Sequence, residues 1–219
     1  MQYVIEGALA QVARLTFSAG DLCWASKGSL VTYDEGIKWS LKIPGGLSGA
    51  VRRTLSGEGV SLTLIEANKA QQDVVLSANA PGKISEWDLS DGAVLTTRGA
   101  FLAALGSDIH IDVQMAKRAG AAVFGGAGLF LQRISGQGTV LIHGSGDFID
   151  RQLASGETLT VSTGNLAAFS GSVDYAIQRV GGVRRTLFGG EGVVMTRLTG
   201  PGRVLMQSLK RKREKSIMT

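Results

Sequence analysis

The phrase FGGEGVVMTRLTGPGRVLM at residues 188–206 is written a second time at 124–142, as FGGAGLFLQRISGQGTVLI. Nine of nineteen paired positions are identical at a constant offset of 64. Chance would give about one to three matches in such a window, even at twice the usual glycine content. A chain that repeats itself at this spacing builds more than one copy of a similar supersecondary unit, and each copy must bury its apolar face against a neighbour.

Shorter phrases extend the pattern. Phe17 to Gly28 matches Leu153 to Gly164, and Leu89 to Gly99 is the same phrase one residue shorter. Each reads as turn, strand, turn. Next comes a period-two stretch: Ile37, Trp39, Leu41 and Ile43, then Ile109, Ile111, Val113 and Met115, then Val173, Tyr175 and Ile177, offset by 72 and by 64. Alternation of this kind predicts a strand with one face on a core, so Trp39, Ile111 and Tyr175 are expected in matching buried positions. A glycine-rich connection follows in each copy and carries a basic pair: Arg52 and Arg53, Lys117 and Arg118, Arg184 and Arg185. A short helical turn over Val51 to Leu55 is marginal beside so much glycine. The first copy is longer, and Asp73 to Ser77 reads as one additional strand. Residues 1–16 read as an opening strand, and Lys83 to Leu89, Thr139 to His143 and Arg203 to Leu209 as further strands. The expected organisation is all-β: a single domain over 1–209 made of three repeats, about 17–88, 89–152 and 153–209, followed by a basic tail at 210–219.

Charge narrows the function classes. The net charge is +5, and Lys210, Arg211, Lys212, Arg213 and Lys215 against Glu214 place +4 of it in the tail. A nearly neutral body with 6% aromatic residues lacks the basic stripe and stacking platform of an RNA-binding face. Five cations within six residues are expected to stay in solvent or against an anionic surface, such as a membrane. One cysteine, Cys23, excludes an internal disulfide, and two histidines cannot complete the usual zinc ligand sets, so no metal or cofactor is expected. Cys23 itself reads as a packed small hydrophobe. No leader pattern and no bilayer-length apolar run are seen, so a cytoplasmic protein is expected.

Taken together, FGGEGVVMTRLTGPGRVLMQ, GGAGLFLQRISGQGTVLI, the three glycine-bounded strand phrases and the SGSVDY strand entry resemble the altered inheritance of mitochondria protein twenty-four family along nearly the whole chain. That resemblance implies an all-β fold similar to the tryptophan-RNA-binding attenuation protein (TRAP-like), built from repeated β-sandwich-like units with a tendency to form trimers. It also implies relatives associated with mitochondrial inner-membrane organisation, and no catalytic residue set. The tail LKRKREKSIMT lies outside it.

Candidate chemistry is sparse. His143, Ser145 and Asp147 lie within five residues, but Gly-Ser-Gly-Asp after a strand is turn composition, and sequence proximity is not triad geometry. His110 and Asp112 share a strand face that carries Ser40 with Lys42, and Ala176 with Gln178, in the other copies, which describes a solvated face. The phrase Gly189 to Gly192 lacks the lysine of a phosphate loop and reads as a bulge or turn. The basic pairs recur once per copy; around a pseudo-threefold axis they converge on an anion site, whereas the competing account is solvated loops paired with Glu58 and Glu191. The leading expectation is therefore a non-enzymatic oligomeric scaffold or binding protein, a homotrimer with its exposed sheet edges covered. The competing one is a nucleic-acid-binding protein using a TRAP-like scaffold and the basic tail.

Overall fold

The structure is a computed structural model and describes residues 1–44, 61–115, 130–180 and 193–211. Apart from two single-turn 3-10 segments, every regular element in them is a strand. In chain order these are β1 (Gln2–Glu6), β2 (Val12–Phe17), β3 (Leu22–Ala25), β4 (Leu30–Tyr33), β5 (Ile37–Lys42), β6 (Leu62–Ala67), β7 (Gln72–Ser77), β8 (Gly82–Asp88), β9 (Val94–Thr97), β10 (Phe101–Met115), β11 (Phe130–Ser145), β12 (Phe148–Leu153), β13 (Thr158–Ser162), β14 (Leu166–Ser170), β15 (Asp174–Val180), β16 (Val193–Thr199) and β17 (Gly202–Gln207). The expected additional strand is β7, whereas residues 1–16 hold two strands, β1 and the start of β2, folded back on each other around Gly7 to Gln11.

All strand pairs among the described residues are antiparallel. The large sheet runs β12-β17-β14-β9-β11-β10-β3-β6-β5, with β8 also on β11; the smaller sheets are β1-β2-β7-β4 and β13-β16-β15. The long pair β10–β11 is the spine, and β11 feeds every core. Leu141 packs in the first, with Leu15, Phe17, Ile65 and Leu76. Ile134, Val140 and Ile142 pack in the second with Trp87, and Leu131 in the third with Phe169, Leu198 and Val204. Strand side chains alternate, so odd-numbered Leu131 and Leu141 place the third and first cores on one side of the large sheet, and the even-numbered residues place the second on the other. The two small sheets close the first and third cores as sandwich layers.

The second half of the repeated glycine phrase has a backbone explanation. Gly138 and Gly202 have φ of +139° and +144°. A Cβ on Gly138 would collide with the Leu105 carbonyl where β10 shifts register against β11, and one on Gly202 would press on Ser170 and Val173. Both positions need glycine for conformation and for closeness.

The expected burial of the alternating strands holds only in part. Ile111 is buried and its neighbours His110 and Asp112 face solvent. Tyr175 is half-buried against Phe169, ring centroids 5.4 Å apart, with Asp174 exposed. Trp39, expected to be buried, is 47% exposed, and Leu41 48%. The register is sound, because Trp39 lies opposite buried Ile65 and Ile37 is itself buried. What fails is coverage: among the described residues β5 ends the large sheet and the strand facing it, four-residue β4, ends its own. Alternation reports which side a residue is on, not whether a second layer reaches it.

Replacing Gly138 by alanine is expected to lower stability by about 2–4 kcal/mol through strain plus the carbonyl clash. Urea unfolding of the variant against the parent measures it.

Candidate functional site

The two strands that end their sheets, β4 and β5, form the open mouth of the first sandwich. Leu30, Val31 and Tyr33 from one layer and Trp39 and Leu41 from the other line a groove of about 440 Å³, with Lys27 at its rim and Thr63 at its floor. A second hollow of about 370 Å³ shares Tyr33 and Trp39 and adds Lys38, Ser40 and Glu66. Val31 is 57% and Tyr33 50% exposed. Monomeric proteins seldom leave a contiguous apolar patch along an open strand edge, where unpaired N–H and C=O groups invite another strand. The lysines on β5, Lys38 and Lys42, are the only sequence sign that this strand is an edge; its apolar alternation alone looks like core.

None of the basic pairs can be placed at this mouth. Arg52, Arg53, Lys117, Arg118, Arg184 and Arg185 lie outside the described residues, as do Glu58, Glu191, Gly189 to Gly192 and the segment Val51 to Leu55. In sequence each pair falls in the connection between two paired strands: β5–β6, β10–β11 and β15–β16.

The start of the tail departs from the expectation that its cations all face solvent. Lys210 is exposed, while Lys212, Arg213 and Lys215 lie outside the described residues. Arg211 is folded down: its Nη2 donates to the His143 carbonyl at 2.9 Å and to Gln207 Oε1 at 3.2 Å, and its backbone N–H donates to Gly164 O at 3.1 Å. The guanidinium lies against Gly99, where a Cβ would come within 3.0 Å of Nη1. Gln207 completes the clasp, accepting from the Ser145 N–H and donating to Gly164 O, both at 2.9 Å. Burial lowers the Arg211 pKa to about 10. The planar guanidinium tolerates this because its long stem packs while its fork finds carbonyl acceptors.

His143, expected at the end of a strand with a turn beginning after it, is a buried residue of β11, which runs on through Gly144 and Ser145. Burial first, and the Arg211 charge second, lower its pKa to about 4, so near neutrality it is an uncharged ring packed beside a cation. Its backbone N–H donates to Ala100 O at 2.7 Å. These contacts make it part of the clasp. His110 sits at the surface with Nε2 3.2 Å from Asp108 Oδ1, both residues mostly exposed, a pairing of small energetic weight. Cys23 is fully buried in the first core, and burial raises its thiol pKa, as expected of a packed side chain. Among the described residues no group of three or more histidine, cysteine or acidic side chains is arranged to hold a metal ion, and no helix is long and apolar enough to cross a membrane.

Two outcomes follow from the clasp. The unfolded chain protonates His143 near pH 6.5 and the folded chain only near 4. Stability is therefore lost as pH falls through that window, by roughly 3 kcal/mol at its lower end. Urea midpoints from pH 7 to 4 are expected to fall less steeply for His143→Gln than for the parent. Truncation also divides at Arg211: removing 210–219 is expected to cost about 1–3 kcal/mol, whereas removing 212–219 leaves the midpoint unchanged.

Comparison with known proteins places this architecture. Residues 3–209 match the family described as mitochondrial biogenesis AIM24. An uncharacterized protein of Streptococcus pyogenes serotype M6 is 29% identical over 219 residues, covering 95% of this chain and 86% of that one. An X-ray crystal structure of a Streptococcus pyogenes protein superposes with a TM-score of 0.78 at 24% identity, covering 95% of this chain and 94% of the other, and shares its fold.

Proposed function

Because the chain belongs to the mitochondrial biogenesis AIM24 family, whose Streptococcus pyogenes relative is itself uncharacterized, we propose that it is a non-enzymatic oligomeric scaffold or binding protein that works through its open sheet edges. The observation that carries this is the mouth between β4 and β5: Val31, Tyr33, Trp39 and Leu41 are all about half exposed along two edges that have no strand partner among the described residues. Buried in an interface, aromatic and aliphatic side chains in such a place make a contact centre. The offsets of 72 and 64, and the three strand pairs flanking the glycine-rich connections, support a three-unit, TRAP-like organisation that assembles as a homotrimer.

A second reading concerns the tail. Arg211 ties its base to β11, so Lys212, Arg213 and Lys215 follow from a fixed point of the fold. That arrangement favours contact of a cytoplasmic protein with an anionic membrane surface, where each cation contributes about 1 kcal/mol and several tails per oligomer add their effects. Binding of nucleic acid by the same cations is the competing outcome.

Light scattering at micromolar concentration tests the first reading, with a mass of three chains expected; a monomer would sink it. For the tail, the 212–219 truncation is compared with the intact protein on anionic vesicles and on RNA across a salt series. Loss of vesicle binding alone supports the membrane reading; an RNA interaction with a salt slope of roughly −2, set by the three removed cations, supports the other.

A further inference from the structure

Among the described residues, β4 and β13 are bonded on one side only, where their counterparts elsewhere in the chain are bonded on both. We propose that β4 of one copy pairs antiparallel with β13 of another, repeating between chains a junction that the chain makes twice within itself; this rests on the three-unit, oligomeric reading above and specifies its interface.

The internal junctions are β3 with β10 and β9 with β14, both antiparallel. The first sets Ala25 against Ala103 and Trp24 against Ala104; the second sets Thr96 against Ala168 and Leu95 against Phe169. A hydroxyl finishes each one. Ser26 Oγ donates to Phe101 O, and Thr97 Oγ1 donates to Leu166 O at 2.7 Å.

Register identifies the counterparts. Against its inner neighbour, each of β4, the start of β10 and β14 skips one residue: Val31 between Leu30 and Thr32, Leu102 between Phe101 and Ala103, Ala167 between Leu166 and Ala168. In the same way β3, β9 and β13 each set one apolar residue opposite a fully buried one, Cys23 on Ile65, Val94 on Ile134 and Leu159 on Leu198. The skipped residue shows what the junction does. Leu102 packs in the first core while Ala104 packs in the second, and Ala167 packs in the second while Phe169 packs in the third. A strand joined in this way seals two sandwiches at once. Val31, the third skipped residue, is instead 57% exposed, and Tyr33, in the place of Ala104 and Phe169, is 50% exposed. On the other edge Leu159 is only half-buried, whereas Cys23 and Val94 are fully buried.

The internal junctions fix the direction, the side and the register of the new one. Thr32 meets Val161 and Tyr33 meets Thr160 of the other copy. Val31 then enters that copy's third core beside Leu159. Ser162, whose side chain does not cap the 3-10 turn after it, takes the place of Ser26 and Thr97 and donates to Leu30 O. No such argument applies to β5, because its counterparts, the second half of β10 and β15, are also bonded on one side only among the described residues. A contact between different edges of the same molecule is heterologous, and it closes into a ring when the rotation per chain permits.

The test uses two variants of the full chain, Val31→Glu and the combination of Thr32→Cys with Val161→Cys, their folding checked by circular dichroism and thermal unfolding. Because the Ser26 N–H donates to Leu102 O at 2.9 Å, the next pair, Ala25 with Ala103, is of the non-hydrogen-bonded kind whose side chains lie closest. Thr32 and Val161 take those places, within reach of a disulfide, and the native Cys23 is buried. With an oligomeric parent, Val31→Glu is expected to fall to the mass of one chain. The double cysteine variant, oxidised and run without reductant, is expected to give linked species up to the parental number of chains, and either cysteine alone none. Retention of the parental mass by Val31→Glu overturns the proposal while leaving the oligomer standing. So does a double cysteine variant that stays unlinked or bridges only within one chain. A monomeric parent removes the oligomeric reading and this interface together.

Discussion

The hydrogen-bonded pairing of β10 with β11 is the constraint on which the rest depends. Twelve registered residue pairs run from Phe101↔Ile142 to Met115↔Phe130, and the two faces of β11 supply side chains to all three cores. A strand shared in this way cannot slip by one residue without exchanging the contents of the first and third cores for those of the second. The glycine-permitted register shift opposite Gly138 lets so long a pair bend without losing that alternation.

The same constraint explains what was legible in the sequence. Turn glycines and period-two patterns are local properties, so the all-β class, the additional strand Asp73 to Ser77 and the inward side of Ile111 can be read from residues alone. Trp39 shows where local reading ends. Its side of the strand is correct, but its exposure depends on how far β4 extends, and β4 is distant from it in the hydrogen-bond network. Edge status is a property of topology, and only Lys38 and Lys42 hint at it.

The candidate site divides along the same line. Arg211 looks like one more cation in a solvated tail, yet Gln207, the His143 carbonyl and the bare Cα of Gly99 form a seat for it, assembled from three separate stretches of chain. A charge run seen in sequence averages over its members, and a single member with carbonyl acceptors nearby behaves differently from the rest. The turn after His143 is shorter than its composition suggests: β11 takes in Gly144 and Ser145, and only Gly146 and Asp147 separate it from β12. The groove between β4 and β5 has no local signature, because it is defined by two strands that each lack a neighbour on one side among the described residues.

Cys23 gives the fold a chemical clock. As the sole thiol of the chain, fully buried between β10 and β6 and held protonated by its surroundings, it meets an alkylating reagent only when the first sandwich opens. The labelling rate in native buffer therefore reports how often β3 separates from its neighbours. Since β3 joins the β5–β6 end of the large sheet to its spine, that one rate records the integrity of the connection between an open edge and the centre of the molecule.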